Sequence, residues 1–288
     1  MAIKEKDQLT GIETTGHEWD GLKELNNPLP KWWLYTFYVC VIWAVAYWVF
    51  YPAWPLGKTH TNGILNYSER VEVTKEIKEA RQAQSKFIEA IKATPVDQIR
   101  AKPDLFAFAV AGGKALFGDN CATCHGAGGT GAKGFPALAD DDWLWGGKVA
   151  DIYQTVQHGI RATTDGDTRV GDMPAFGKDG TLTKEQINDV AEYVVSFSGK
   201  GDATAAGRGA AVFAEQCAAC HGEKGEGNPD MGAPRLSDGI WLYGAGKATV
   251  VESVTNGRKG VMPAWSARLD DVAVKQLAVY VHGLGGGK

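Results

Sequence analysis

Four of the five cysteines stand in two pairs of equal spacing, each followed at once by a histidine: Cys121-Ala-Thr-Cys124-His125 and Cys217-Ala-Ala-Cys220-His221. Two thiols three residues apart on a tight turn can form thioethers to the two vinyl groups on one porphyrin edge. The adjacent histidine then falls beneath the iron as an axial ligand. Zinc fits less well, because C-x-x-C-H supplies three ligands where a closed site needs four. A thioredoxin-like dithiol needs a βαβ setting that is missing here. A disulfide scaffold needs denser cysteine in a shorter chain. The pairs predict two covalently attached c-type haems, bound through Cys121, Cys124, Cys217 and Cys220, with His125 and His221 on the irons.

A sixth ligand is expected from two of the four methionines. Met173 and Met262 each begin a Met-Pro-Ala-aromatic segment, 48 and 41 residues after the motif histidines. A thioether is a soft ligand that favours ferrous iron, and His/Met ligation raises the potential. Met231 is the rival in the second half and has no equivalent in the first. His158 is the alternative ligand in the first half; its counterpart is Asn256, and both precede glycine at a helix end. Trp143, Trp145, Trp241 and Tyr243 are expected to wall the haems and reach propionates through N–H and O–H groups. Arg161 and Arg258 lie near the methionine loops, with propionates or solvent as their expected partners. With both axial positions filled, neither iron offers a substrate site, so the chemistry is electron transfer.

The elements that must hold these residues come in duplicate. NCATCHG (120–126) answers QCAACHG (216–222), DWLWGG (142–147) answers IWLYGA (240–245), and IYQTVQHG (152–159) answers VVESVTNG (250–257). MPAF (173–176) answers MPAW (262–265), and AEYVVSF (191–197) answers AVYVHGL (278–284). Five blocks in one order mean two copies of one small helical domain, spanning 104–199 and 200–288. Each copy predicts a leading helix into the cysteine motif (about 104–118 and 205–216). Each also predicts a closing helix (about 184–197 and 271–283), capped by Thr183 with Gln186 in a capping box and by Asp270. GKGDATA (199–205) joins the copies.

Ahead of them, Trp32–Tyr51 runs 20 residues without a charge, flanked by tryptophans and ended by Pro52 and Pro55. That is the length of a membrane-spanning helix. The six acids and four lysines in the preceding 31 residues do not suit a signal peptide, so an uncleaved anchor over 32–54 is expected. Residues 55–103 read as a linker with one amphipathic helix over 69–93. The net charge of −4, with no long basic run, argues against nucleic acid as a partner. The first copy is the more acidic: residues 101–200 hold 9 basic and 13 acidic side chains, and 201–288 hold 9 of each. Asp140, Asp141, Asp142, Asp165 and Asp167 are expected to form a rim that attracts a basic donor protein.

Taken whole, the chain resembles the membrane-anchored di-haem c subunit of cbb3-type cytochrome c oxidases. The resemblance rests on TTGHEWDGLKELNNPLPKWW (14–33) running into the anchor, then the paired CATCHG and CAACHG domains. It implies a mostly α fold, one N-terminal transmembrane helix followed by two tandem class I cytochrome c domains. It implies the axial pairs His125/Met173 and His221/Met262. It further implies a place in the bacterial inner membrane, residues 1–31 cytoplasmic and the haem domains periplasmic. Electrons would come from a donor cytochrome c and pass through a mono-haem c subunit to the haem–copper subunit that reduces oxygen. Two other classes stay open: the cytochrome subunit of a periplasmic dehydrogenase, and a free-standing anchored electron shuttle.

Overall fold

The uninterrupted apolar run forms helix α1 (Lys31–Phe50), with no side chain buried along its length. Such a helix has no protein to bury against and needs an apolar solvent. Among the described residues, which are 5–285 of this computed structural model, it is the one helix long and apolar enough to cross a membrane. The stretch before it forms a two-stranded hairpin, β1 (Thr14–Trp19) and β2 (Leu22–Leu25). Asp20 and Gly21 turn it with φ of +48° and +85°, the left-handed pair that a two-residue hairpin turn requires. A two-residue pairing, β3 (Pro55–Leu56) with β4 (Thr59–His60), follows the anchor. The chain divides into two units, up to Gln82 and from Ala83 onward.

That division falls inside the expected 55–103 linker and splits the single helix read over 69–93. Helix α2 (Glu69–Ala83) buries nothing, whereas α3 (Ser85–Ala93) buries Ile91. With Ile99 from a 3₁₀ turn (Val96–Ala101), Ile91 packs against Leu105, Ala109 and Val279. The end of the linker is therefore core to the second unit, because its apolar face has a partner there.

The second unit holds α4 (Pro103–Asn120), α5 (Ala122–His125), α6 (Val149–His158), α7 (Lys184–Ser196), α8 (Ala203–Gln216), α9 (Ala218–His221), α10 (Lys247–Asn256) and α11 (Asp271–His282). The capping box of Thr183 and Gln186 starts α7, and Asp270 caps α11 by accepting from the Ala273 N–H. The sequence copies are not the packing units. The leading helix α4 lies on α11, the closing helix of the other copy, and α7 lies on α8. Helix α6 likewise packs on α11, and α10 on α7. Residues 197–202 are too few to carry the chain away from α7, so α8 turns back directly onto it.

The two crossings are built alike. Gly113 of α4 sits against the Gln276 carbonyl of α11, and Gly209 of α8 against the Asp189 carbonyl of α7. A β-carbon at either would collide with backbone, so these glycines set the close approach. One turn on, Phe117 and Phe213 are almost wholly buried in the two cores. Phe117 packs with Ile152 and Val156 from its own copy and with Val274, Leu277 and Val281 from the other. Phe213 packs with Val250 and Val254 from its own copy and with Ile187, Val190 and Val194 from the other. Glu192, buried on α7, is neutralised by Lys247 of α10 at 2.8 Å and accepts from the Asp202 N–H.

Candidate haem centres

Cys121 and Cys217 end the leading helices, and each motif makes one short helical turn ending at the histidine, α5 or α9. Burial pushes the Cys121 and Cys217 thiols up to about 11, disfavouring thiolate. A thioether is neutral and suffers no such penalty. After each motif the loop begins with the same backbone bond. Gly131 N–H donates to the His125 carbonyl and Gly227 N–H to the His221 carbonyl, both at 2.8 Å.

The histidines are held identically. His125 Nδ1 lies 3.0 Å from the Pro136 carbonyl, and His221 Nδ1 lies 2.9 Å from the Pro234 carbonyl. A carbonyl can only accept, so the proton sits on Nδ1 and the Nε2 lone pair is left for a metal. Burial also lowers the His221 pKa, favouring the neutral, ligating imidazole. Among the described residues, Trp143 Nε1 is buried with no hydrogen-bond partner. Such an orphan is costly unless something accepts from it, and a haem propionate would. These residues fit the two haems expected from the motifs.

The methionines fall on opposite sides from those expected. Met262 packs in the core beside Cys121, Ala122 and Trp143, and Met173 in the core beside Cys217, Ala218 and Trp241. The methionine strands are pinned across the copies. Met262 exchanges backbone hydrogen bonds with Ile160 at 2.9 and 3.0 Å, and Met173 with Arg258 at 3.0 and 3.1 Å. Gly159 and Gly257, both at φ +71°, end α6 and α10 against the Met262 and Met173 carbonyls, where a side chain would collide. The structure therefore brings Met262 into the core that holds Cys121, and Met173 into the core that holds Cys217.

The remaining candidates also have definite partners. Met231 is exposed on a loop. His158 Nδ1 lies 3.1 Å from both Asp165 carboxylate oxygens. Arg258 lies 4.0 Å over the Tyr243 ring and donates to Ser253 Oγ at 2.9 Å. Arg169, which the sequence reading passed over, does the same in the first copy: it stacks on Trp145 at 5.3 Å and donates to Thr155 Oγ1 at 2.9 Å. Its signal was available, since Trp145/Tyr243 and Thr155/Ser253 are matched positions of the repeat. Within the acidic rim Asp165 is hydrogen-bonded to His158, and nearby Asp172 pairs with Lys259 at 2.6 Å. Asp142 stands beside Asp140 and Asp238, one acid from the other copy. Burial and these two charges push it up to about 6.

Three family models match the chain in order: the N-terminal domain of cytochrome oxidase-cbb3, FixP (residues 11–58), cytochrome c (110–198), and cytochrome c oxidase, cbb3-type, subunit III (204–281). The cbb3-type cytochrome c oxidase subunit CcoP of Azospirillum brasilense is 61% identical over 296 residues, covering 100% of both chains. Subunit FixP of Azorhizobium caulinodans is 53% identical over 284 residues, covering 98% of this chain and 96% of its own. Subunit CcoP of Cereibacter sphaeroides is 49% identical over 290 residues, covering 100% of both. A tryptophan-flanked anchor, two cytochrome c domains and these full-length likenesses place the chain in the CcoP/FixP family, the di-haem electron-transfer subunit of cbb3-type cytochrome c oxidases.

Proposed function

We propose that the second unit holds two His/Met-ligated c-type haems by crossed ligation. Cys121 and Cys124 bind the first haem, with His125 and Met262 on its iron. Cys217 and Cys220 bind the second, with His221 and Met173. The observation that carries this reading is the pinning of each methionine strand onto the copy that bears the other cysteine motif. Each haem, when bound, supplies one-electron exchange between ferric and ferrous iron. The protein's part is to fill both axial positions, exclude water with Phe117 and Phe213, and offer Trp143 Nε1 to a propionate.

The chain takes electrons from a donor cytochrome c and delivers them through a mono-haem c subunit to the haem–copper subunit. Covalent haem attachment takes place outside the cytoplasm, which favours periplasmic haem domains, residues 1–31 in the cytoplasm and α1 in the bacterial inner membrane. The test is made on the intact complex solubilised from membranes. Co-purification with a haem–copper subunit and donor-dependent oxygen uptake that fails when Cys121 and Cys124 are both alanine would support the role. Uptake at the parental rate, or co-purification with a dehydrogenase instead, would overturn it.

A further inference from the structure

Where the two methionine strands cross, one side chain touches both. Arg161 follows Ile160, the residue paired with Met262, and holds a left-handed backbone at φ +51°. A non-glycine residue there is strained, a conformation that persists only where surroundings impose it. Its N–H donates to the Arg169 carbonyl at 2.7 Å. Its half-buried guanidinium donates from Nε to the Gly260 carbonyl at 2.6 Å and from Nη1 to the Gly171 carbonyl. Gly260 lies two residues before Met262, and Gly171 two residues before Met173.

We propose that Arg161 is a positioning residue that clamps both methionine loops at once, so that the hold on each iron's sixth ligand depends on the same guanidinium. The planar fork suits the task, because two N–H groups on one rigid plane can serve two carbonyls from different segments. Charge-assisted hydrogen bonds to carbonyls are stronger than neutral ones, so each loop is tied by more than an ordinary turn contact. The matched residue of the other copy, Lys259, does not duplicate the clamp: its ammonium pairs with the Asp172 carboxylate. Nor does Arg258, whose guanidinium is engaged by Ser253, Glu252 and the Tyr243 ring. One residue in one copy thus serves both methionine loops.

This inference rests on Met173 and Met262 being ligands, as proposed above, but not on which haem each serves. The test uses the full, haem-loaded chain, with imidazole as a probe that competes with methionine for ferric iron. Arg161→Gln should tighten apparent imidazole binding about tenfold at both haems, the sulfur–iron charge-transfer band falling with an amplitude of two haems per chain. Tightening at one haem only, or at neither, would overturn the clamp. Should the glutamine chain fail to load haem, Arg161→Lys keeps the charge and loses the fork. It should tighten binding at both haems by a smaller factor, and parental affinity at either would overturn the proposal. A parent chain with no sulfur–iron band would instead remove the methionine ligation itself, and the clamp with it.

Discussion

The two haem pockets share a frame and differ at their polar edges. In both, a glycine sets the helix crossing, a phenylalanine fills the core behind it, and a proline carbonyl orients the motif histidine. In both, an arginine stacks on the aromatic wall and bonds a hydroxyl of α6 or α10. The indoles part company. Trp241 Nε1 donates to the Asp238 carbonyl at 3.1 Å, whereas Trp143 Nε1 has no acceptor among the described residues. His158 with Asp165 has no like in the second copy, where the matched residue is Asn256. Packing that holds two halves together is constrained from both sides, and each half must keep it. Groups at a haem edge answer to one haem each and are free to diverge.

The shared frame is the part most easily broken. Residues 83–199 and 200–288 made as separate chains should each lack the sulfur–iron charge-transfer band, and mixing the two should restore it. A full band in either half alone would mean that each copy closes on itself. Smaller but still large, Phe117→Ala and Phe213→Ala should each cost roughly 3–5 kcal/mol, as deletion of a buried phenylalanine does. Because each core draws on both copies, either change should lower one common unfolding transition followed at both haems. Two separate transitions would show the halves to be independent.

The differing edges are probed by gentler changes. Trp143→Phe should lower the potential of the first haem by the equivalent of about 1 kcal/mol, since a propionate losing its donor leaves a less compensated negative charge beside the iron. Trp241→Phe, whose N–H already serves Asp238, should move the second potential less. Potentiometric titration of both haems decides it, and equal shifts would erase the distinction. A pH-dependent effect is expected at Asp142. Its carboxyl ionises near 3.8 when unfolded and near 6 when folded. As pH rises through that window the unfolded state gives up its proton first, so stability falls, and the whole loss is present above about 6. Asp142→Asn should therefore melt higher than the parent above about pH 6, the gain shrinking to nothing below 3.8. A gain that grows on acidification would reverse the sign and exclude burial as the cause.

Much of this was legible in the chain because the chemistry demands residue types at fixed spacings. Cys121, Cys124 and His125 announce themselves, as does the charge-free run of α1. The caps at Thr183 and Asp270 were equally plain, since side-chain capping is local. The crossing was not legible from the repeats. Blocks that match in order look the same whether a domain closes on itself or exchanges helices with its neighbour. Only the short connection at 197–202 hints at it, by denying α8 any route except back along α7. The single break at Gln84 leaves no mark in the sequence because periodicity runs through it, and burial alone distinguishes α3 from α2. Arg161 stands near a methionine loop in the sequence. That it reaches both loops depends on three distant segments meeting, which no local pattern encodes.

Crossed ligation is tested most directly on a chain carrying Cys217→Ala and Cys220→Ala, which keeps the first haem alone. Its sulfur–iron charge-transfer band should vanish when Met262→His is added and persist when Met173→His is added instead. Loss of the band with Met173→His and its survival with Met262→His would contradict the crossing and return each iron to the methionine of its own repeat.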